Sequence, residues 1–82
     1  MKGYTLTDVK PHDKKDDCWI VINDKVYDIT EFLGDHPGGS SILLTVGGKD
    51  ASDYFWELHR AEILDEIAQD YEIGYLLKRA NL

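Results

Sequence analysis

An α+β fold, a small mixed β-sheet with several short helices, is what three features of this 82-residue sequence predict. Two runs rich in β-branched and aromatic residues, CWIVI at 18–22 and KVYDI at 25–29, flank the turn dipeptide Asn23-Asp24 and read as a tight hairpin. Short helical patterns stopped by Gly or Pro fill the middle of the chain. A last extended run, YEIGYLL at 71–77, closes it. Turn signals come too often for the long crossovers of a parallel sheet, and the length allows one domain, 1–82.

Taken in order, YTLTDVKPHD opens with a short extended piece, then Thr7 as the N-cap of a brief helix with Asp8 in its first turn and Pro11 ending it. After the hairpin, Thr30 caps a single helical turn, EFLGD, which delivers the chain to His36. Ser40 or Ser41 starts a helix carrying Ile42, Leu43 and Val46, and Gly47-Gly48 stops it. Asp50 caps the next, where Tyr54, Phe55 and Leu58 sit at offsets of three and four and lead toward His59. Ile63, Leu64, Ile67 and Ala68 keep helical spacing in a further helix before the final strand.

Composition narrows the function. The chain is 43% apolar, with two Trp, five Tyr and two Phe, too much core material for a disordered segment. No apolar run approaches the ~20 residues of a membrane span, and the N-terminus lacks a signal-peptide core, so a soluble cytoplasmic monomer is expected. Met1 reads as a natural start, which leaves open whether a membrane tail follows in a longer chain. A net charge of −7 repels nucleic-acid phosphates and anionic membranes. Much of the excess lies between Asp50 and Glu72, where eight acidic residues face the single base Arg60. That density is either an ordinary solvated helix face or a surface for a basic partner. Cys18 is alone and can form no internal disulfide. It reads as a partly buried strand residue, and His12 as a surface histidine beside Pro11.

GDHPGGSS at 34–41 holds His36 on a stiff corner, because proline fixes φ and paired glycines allow close approach of the backbone to something flat. His36 and His59 both have apolar neighbourhoods. Two neutral imidazoles make a poor zinc site, which wants three or four protein ligands, but they suit an iron porphyrin that brings its own four equatorial nitrogens. Composition and spacing alone do not single out haem, since either histidine taken by itself is more often a structural residue.

The motifs do. DDCWIVINDKVYDITEFLGDHPGG at 16–39, followed by GGKDASDYFWELH at 47–59 and IGYL at 73–76, resembles the haem-binding domain of the cytochrome b5 family over nearly the whole chain. The shared elements are Trp19; Val26, Tyr27, Asp28, Thr30 and Phe32; His36 to Gly39; Gly47 to Ala51; His59; then Ile73, Gly74 and Leu76. Their order across separate segments makes chance agreement improbable.

The resemblance implies non-covalent haem b (iron protoporphyrin IX), with His36 and His59 as its axial ligands. It maps the pocket to Ile29, Phe32, Pro37, Gly38, Ile42, Leu43, Leu58, Ile67 and Tyr71, with Tyr54 or Phe55 in the aromatic place before the second ligand. Arg60 stands where the family commonly has a small hydroxyl or amide residue; its guanidinium either pairs a haem propionate or points to water. With both axial places filled, electron transfer is the implied chemistry and the protein is not itself an enzyme. The implied donor is an NAD(P)H-dependent flavin reductase of the cytochrome b5 reductase type, and the acceptor an oxidase, desaturase or hydroxylase. Asp35, Asp50, Asp53, Glu57 and Glu62 are the acidic residues expected to meet such partners. The alternative is a haem domain excised from a multidomain oxidoreductase, such as a nitrate reductase, sulfite oxidase or desaturase fusion. A steroid-binding module is disfavoured by the histidine pair.

Overall fold

The structure is a computed structural model, and it describes residues 2–35, 40–53, 55 and 69–77. Among these, five strands form one mixed sheet in the order β1-β5-β4-β3-β2. Along the chain come β1 (Lys2–Tyr4), α1 (Leu6–Val9), β2 (Asp13–Lys14), β3 (Asp17–Ile22), β4 (Lys25–Asp28), α2 (Thr30–Asp35), α3 (Ser40–Thr45) and β5 (Glu72–Leu76). Residues 52, 53 and 55, and again 69–71, are also helical. This is the expected α+β architecture.

The β3–β4 hairpin forms where its turn chemistry places it. Asn23 and Asp24 both have positive φ, 52° and 65°, as a two-residue type I′ turn requires. Pairing runs from Ile22↔Lys25 to Trp19↔Asp28. Strand alternation sends Cys18, Ile20, Ile22 and Tyr27 to one face and Val21 and Val26 to the other. Both faces are covered, which is why CWIVI shows no apolar-polar alternation.

β5 joins the two ends of the described chain. It pairs antiparallel with β4, the register slipping between Val26 and Tyr27, and parallel with β1, Lys2 opposite Gly74. Only glycine fits at 74, because a Cβ there would run into the Lys2 carbonyl oxygen and the Tyr4 ring. On the far side, β2 adds Asp13↔Cys18 and Lys14↔Asp17 to β3.

The smaller core lies under α1, where Val9 is buried against Val21 and Val26, with Tyr4, Trp19, Ile73 and Leu76 around them. Thr5, not Thr7, caps this helix. The Asp8 N–H donates to Thr5 Oγ1 (3.0 Å) and the Thr5 N–H donates to the Asp8 carboxylate (2.9 Å), a closed capping box that satisfies two donors at once. His12 is not the surface residue expected. Its ring stacks on Trp19 with centroids 3.6 Å apart and planes 5° from parallel, and its Nδ1 lies 2.7 Å from Asp17 Oδ1. Cys18 is wholly rather than partly buried.

Candidate functional site

The larger core occupies the opposite face, and two strand-to-helix junctions on either edge of β3 shape it. At the first, β4 runs into α2 without a loop. The Ile29 N–H donates to the Cys18 carbonyl (2.9 Å) as a ladder residue, while the Ile29 carbonyl accepts the Leu33 N–H (3.1 Å) and starts the helix. Thr30 is therefore the first helical residue rather than the cap. Its N–H (3.1 Å) and hydroxyl (2.6 Å) both donate to Asp28 Oδ1, so the carboxylate two residues earlier supplies the acceptor expected of Thr30. Offsets of three and four from Ile29 place Phe32 and Leu33 on the core side.

α3 brings in Leu43 and Leu44. Its end tightens: the Val46 N–H donates to Leu43 (3.1 Å) and the Gly47 N–H to Leu44 (3.2 Å), so Val46, expected inside the helix, lies just beyond it. Gly48, at φ 72°, turns the chain onto the free edge of β3. There the Gly48 N–H donates to Trp19 (2.7 Å), the Val21 N–H to Lys49 (3.0 Å) and the Ala51 N–H to Val21 (2.7 Å). The Ala51 carbonyl then accepts the Phe55 N–H (2.8 Å) and the next helical segment begins. Ala51, not Asp50 as expected, is thus the cap position; Asp50 stands one residue earlier, its Oδ1 accepting the Ser52 N–H (2.9 Å) and hydroxyl (2.6 Å).

These elements converge on one apolar cluster. Ile29, Leu33, Leu43 and Phe55 are buried in it with Cys18, Ile20, Ile22, Tyr27 and Ala51, while Phe32, Leu44, Val46 and Tyr71 pack against it half-buried. Phe32 and Tyr71 meet edge to face, centroids 5.5 Å apart. Ile29, Phe32, Leu43, Phe55 and Tyr71 from the expected pocket thus come together. His36, Pro37, Gly38, Tyr54, Leu58, His59, Arg60 and Ile67 lie outside the described residues, as does the Ile42 side chain. Sequence reasoning missed Leu33, although its offset of four from Ile29 was available.

The electrostatics around the cluster are negative. An open cleft beside Tyr71 is lined by Asp16, Asp17, Asp28, Thr30, Glu31, Asp70, Tyr71 and Ile73, a concentration of carboxylates the sequence reading did not assemble. Of the acidic residues expected at a partner surface, Asp50 and Asp53 are exposed, with Asp50 already engaged by Ser52. The Asp35 side chain, Glu57 and Glu62 lie outside the described residues. Within the cluster, burial pushes the Cys18 thiol up to about 11, and the carboxylates of Asp28, Asp13 and Asp17 add to the rise.

What this geometry resembles is specific. The protein-family model described as "Cytochrome b5-like Heme/Steroid binding domain" matches residues 5–77. Cytochrome b5 isoform B of Arabidopsis thaliana is 48% identical over 73 residues, covering 89% of this chain and 54% of that protein. Cytochrome b5 of Borago officinalis is 44% identical over the same length, 89% and 55%. The chain spans about half the length of these curated relatives. Among solved structures, the cytochrome b5 of Ostreococcus tauri virus 2 superposes with a TM-score of 0.83 at 39% identity, covering 90% of this chain and 95% of that one. Cytochrome b558 of Ectothiorhodospira vacuolata, a prokaryotic homologue of cytochrome b5, gives 0.80 at 30%, covering 93% and 99%. No helix among the described residues is long and apolar enough to cross a membrane. A five-stranded mixed sheet, an apolar cluster between two strand-to-helix junctions and these relatives agree: the chain belongs to the cytochrome b5-like heme/steroid binding domain family.

Proposed function

We propose that this domain is a one-electron carrier that holds haem b between His36 and His59. The observation that carries the reading is the convergence of Ile29, Leu33, Leu43 and Phe55 into a buried floor beneath half-buried Phe32, Leu44, Val46 and Tyr71. Such a surface fits a large flat apolar group, which would cover what the side chains leave partly exposed. His36 directly follows α2, and His59 follows the helical segment that begins at Ser52. Both arms therefore depart from elements bounding the cluster.

Haem b bound there supplies a ferric/ferrous couple. His36 and His59 would hold the iron through their imidazoles and keep oxygen and substrate off it, so that electron transfer is the chemistry left to it. Phe32, Leu43, Phe55 and Tyr71 would exclude water from the porphyrin faces, with Leu58, Ile67, Ile42 and Tyr54 assigned to the same wall by their motif positions. Arg60, next after the second histidine in the chain, would pair a propionate, and Pro37 and Gly38 would stiffen the first ligand. A flavin reductase of the cytochrome b5 reductase type would be the donor and a desaturase, hydroxylase or other oxidase the acceptor. The negative surface would orient both, with rates that fall as salt rises.

Visible spectra of the reduced and oxidised protein, with and without His36→Ala and His59→Ala, test the ligand set. The parent should show six-coordinate low-spin haem, and each variant should lose that state. An unchanged spectrum in either variant would remove that histidine from the site.

A further inference from the structure

The two junctions at β3 are built alike, down to individual atoms. On one edge, the Ile29 carbonyl stands where the β3–β4 ladder would present an acceptor to Cys18, but it is taken by the Leu33 N–H at the start of α2. Thr30 Oγ1 accepts the Cys18 N–H in its place, at 2.9 Å, while donating its own proton to Asp28 at 2.6 Å. On the other edge, the Ala51 carbonyl is where the parallel run along Val21 would next present an acceptor, and it is taken by the Phe55 N–H. Ser52 Oγ accepts the Asn23 N–H instead, at 2.9 Å, and donates to Asp50 at 2.6 Å. A hydroxyl thus replaces the missing ladder carbonyl at both places. A strand edge becomes a helix with no slack between them.

What leaves each junction is an arm that ends on a histidine. His36 comes six residues after Thr30, and His59 seven after Ser52. We propose that Thr30 and Ser52 are positioning residues for this pair, fixing the two ligand-bearing arms to Cys18 near the start of β3 and to Asn23 just past its end, so that the length of β3 sets the separation of the two anchor points. The proposal rests on His36 and His59 being the iron ligands. Each carboxylate has its own part: by accepting the hydroxyl proton, Asp28 or Asp50 turns the oxygen lone pairs toward the Cys18 or Asn23 N–H. The Thr30 junction is partly buried and the Ser52 junction exposed, so the first should matter more.

The test uses the full chain loaded with haem and compares Thr30→Val and Ser52→Ala with the conservative Thr30→Ser and Ser52→Thr. Amide exchange is expected to quicken at Cys18 in Thr30→Val and at Asn23 in Ser52→Ala, each without the other. Paramagnetic NMR of the ferric protein should show the His36 ring signals moving in Thr30→Val and the His59 ring signals in Ser52→Ala, with both conservative variants close to the parent. Haem transfer to apomyoglobin should quicken on the order of tenfold in Thr30→Val, about the effect of orphaning one partly buried donor, and less in Ser52→Ala. Should Thr30→Val fail to fold, Ser52→Ala and Thr30→Ser carry the comparison. Faster exchange and haem loss with both histidines' signals unmoved would reduce the hydroxyls to general stabilisers and overturn the proposal. Unchanged exchange would overturn the hydrogen bonds themselves. A parent without low-spin haem would instead defeat the ligand assignment, and the positioning role with it.

Discussion

Raising the pH from 8 to 11 should cost this domain stability through one thiol. Cys18 is fully buried on β3, and its environment lifts it from 9.0 to about 11. In the unfolded chain the thiol ionises near 9, whereas in the folded chain it keeps its proton to about 11. Between those values the unfolded state binds fewer protons, so stability falls as pH rises; below 9 there is no such loss. The gap corresponds to roughly 2–3 kcal/mol, reached in full above pH 11. Cys18→Ala removes the titration at a pH-independent cost of about 1 kcal/mol for the lost buried sulfur. Urea unfolding of both proteins with reductant at pH 8, 9, 10 and 11 isolates the effect, because the two differ only at residue 18. The parent should be the more stable at pH 8 and lose that lead by pH 11. Parallel stability curves would refute the account of the Cys18 environment.

Gly74→Ala should destabilise by roughly 1–3 kcal/mol and expose the β1 amides to exchange, since the new methyl must displace the Lys2 carbonyl. Thr5→Ala should lower the unfolding free energy measured in urea by about 1 kcal/mol, while Thr7→Ala should leave it nearly unchanged; equal effects would contradict the capping box. Reversing Glu57 and Glu62 to Lys should slow reduction by a basic-faced reductase at low salt and flatten the salt dependence. Unchanged kinetics would place the docking surface elsewhere.

Local chemistry made the hairpin, α3 and β5 legible: the turn dipeptide and β-branched runs specify the first, and Gly47-Gly48 the end of the second. The capping error at α1 was avoidable, because Thr5 and Asp8 are three residues apart and form the capping-box pattern. A repeated Asp-x-Thr/Ser pattern, at 28–30 and 50–52, likewise signalled both junctions, and only the tertiary pairing with Cys18 and Asn23 reveals what the hydroxyls accept. Other features had no local signal at all. His12 reaches Trp19 through the chain reversal between β2 and β3, and β1 finds β5 across most of the chain. Helical spacing suited Tyr54 and Phe55 equally; Phe55 is buried in the cluster, and Tyr54 lies outside the described residues. The two histidines came from motif resemblance, since periodicity carries no information about a cofactor.

The central claim is that His36 and His59 leave the iron without a vacancy. Carbon monoxide added to the dithionite-reduced protein tests it most directly, because the gas binds ferrous haem only at an open or readily vacated axial position. The spectrum should remain that of the reduced protein in the parent and shift on adding the gas to His59→Ala. A prompt carbon monoxide shift in the parent would contradict the assignment.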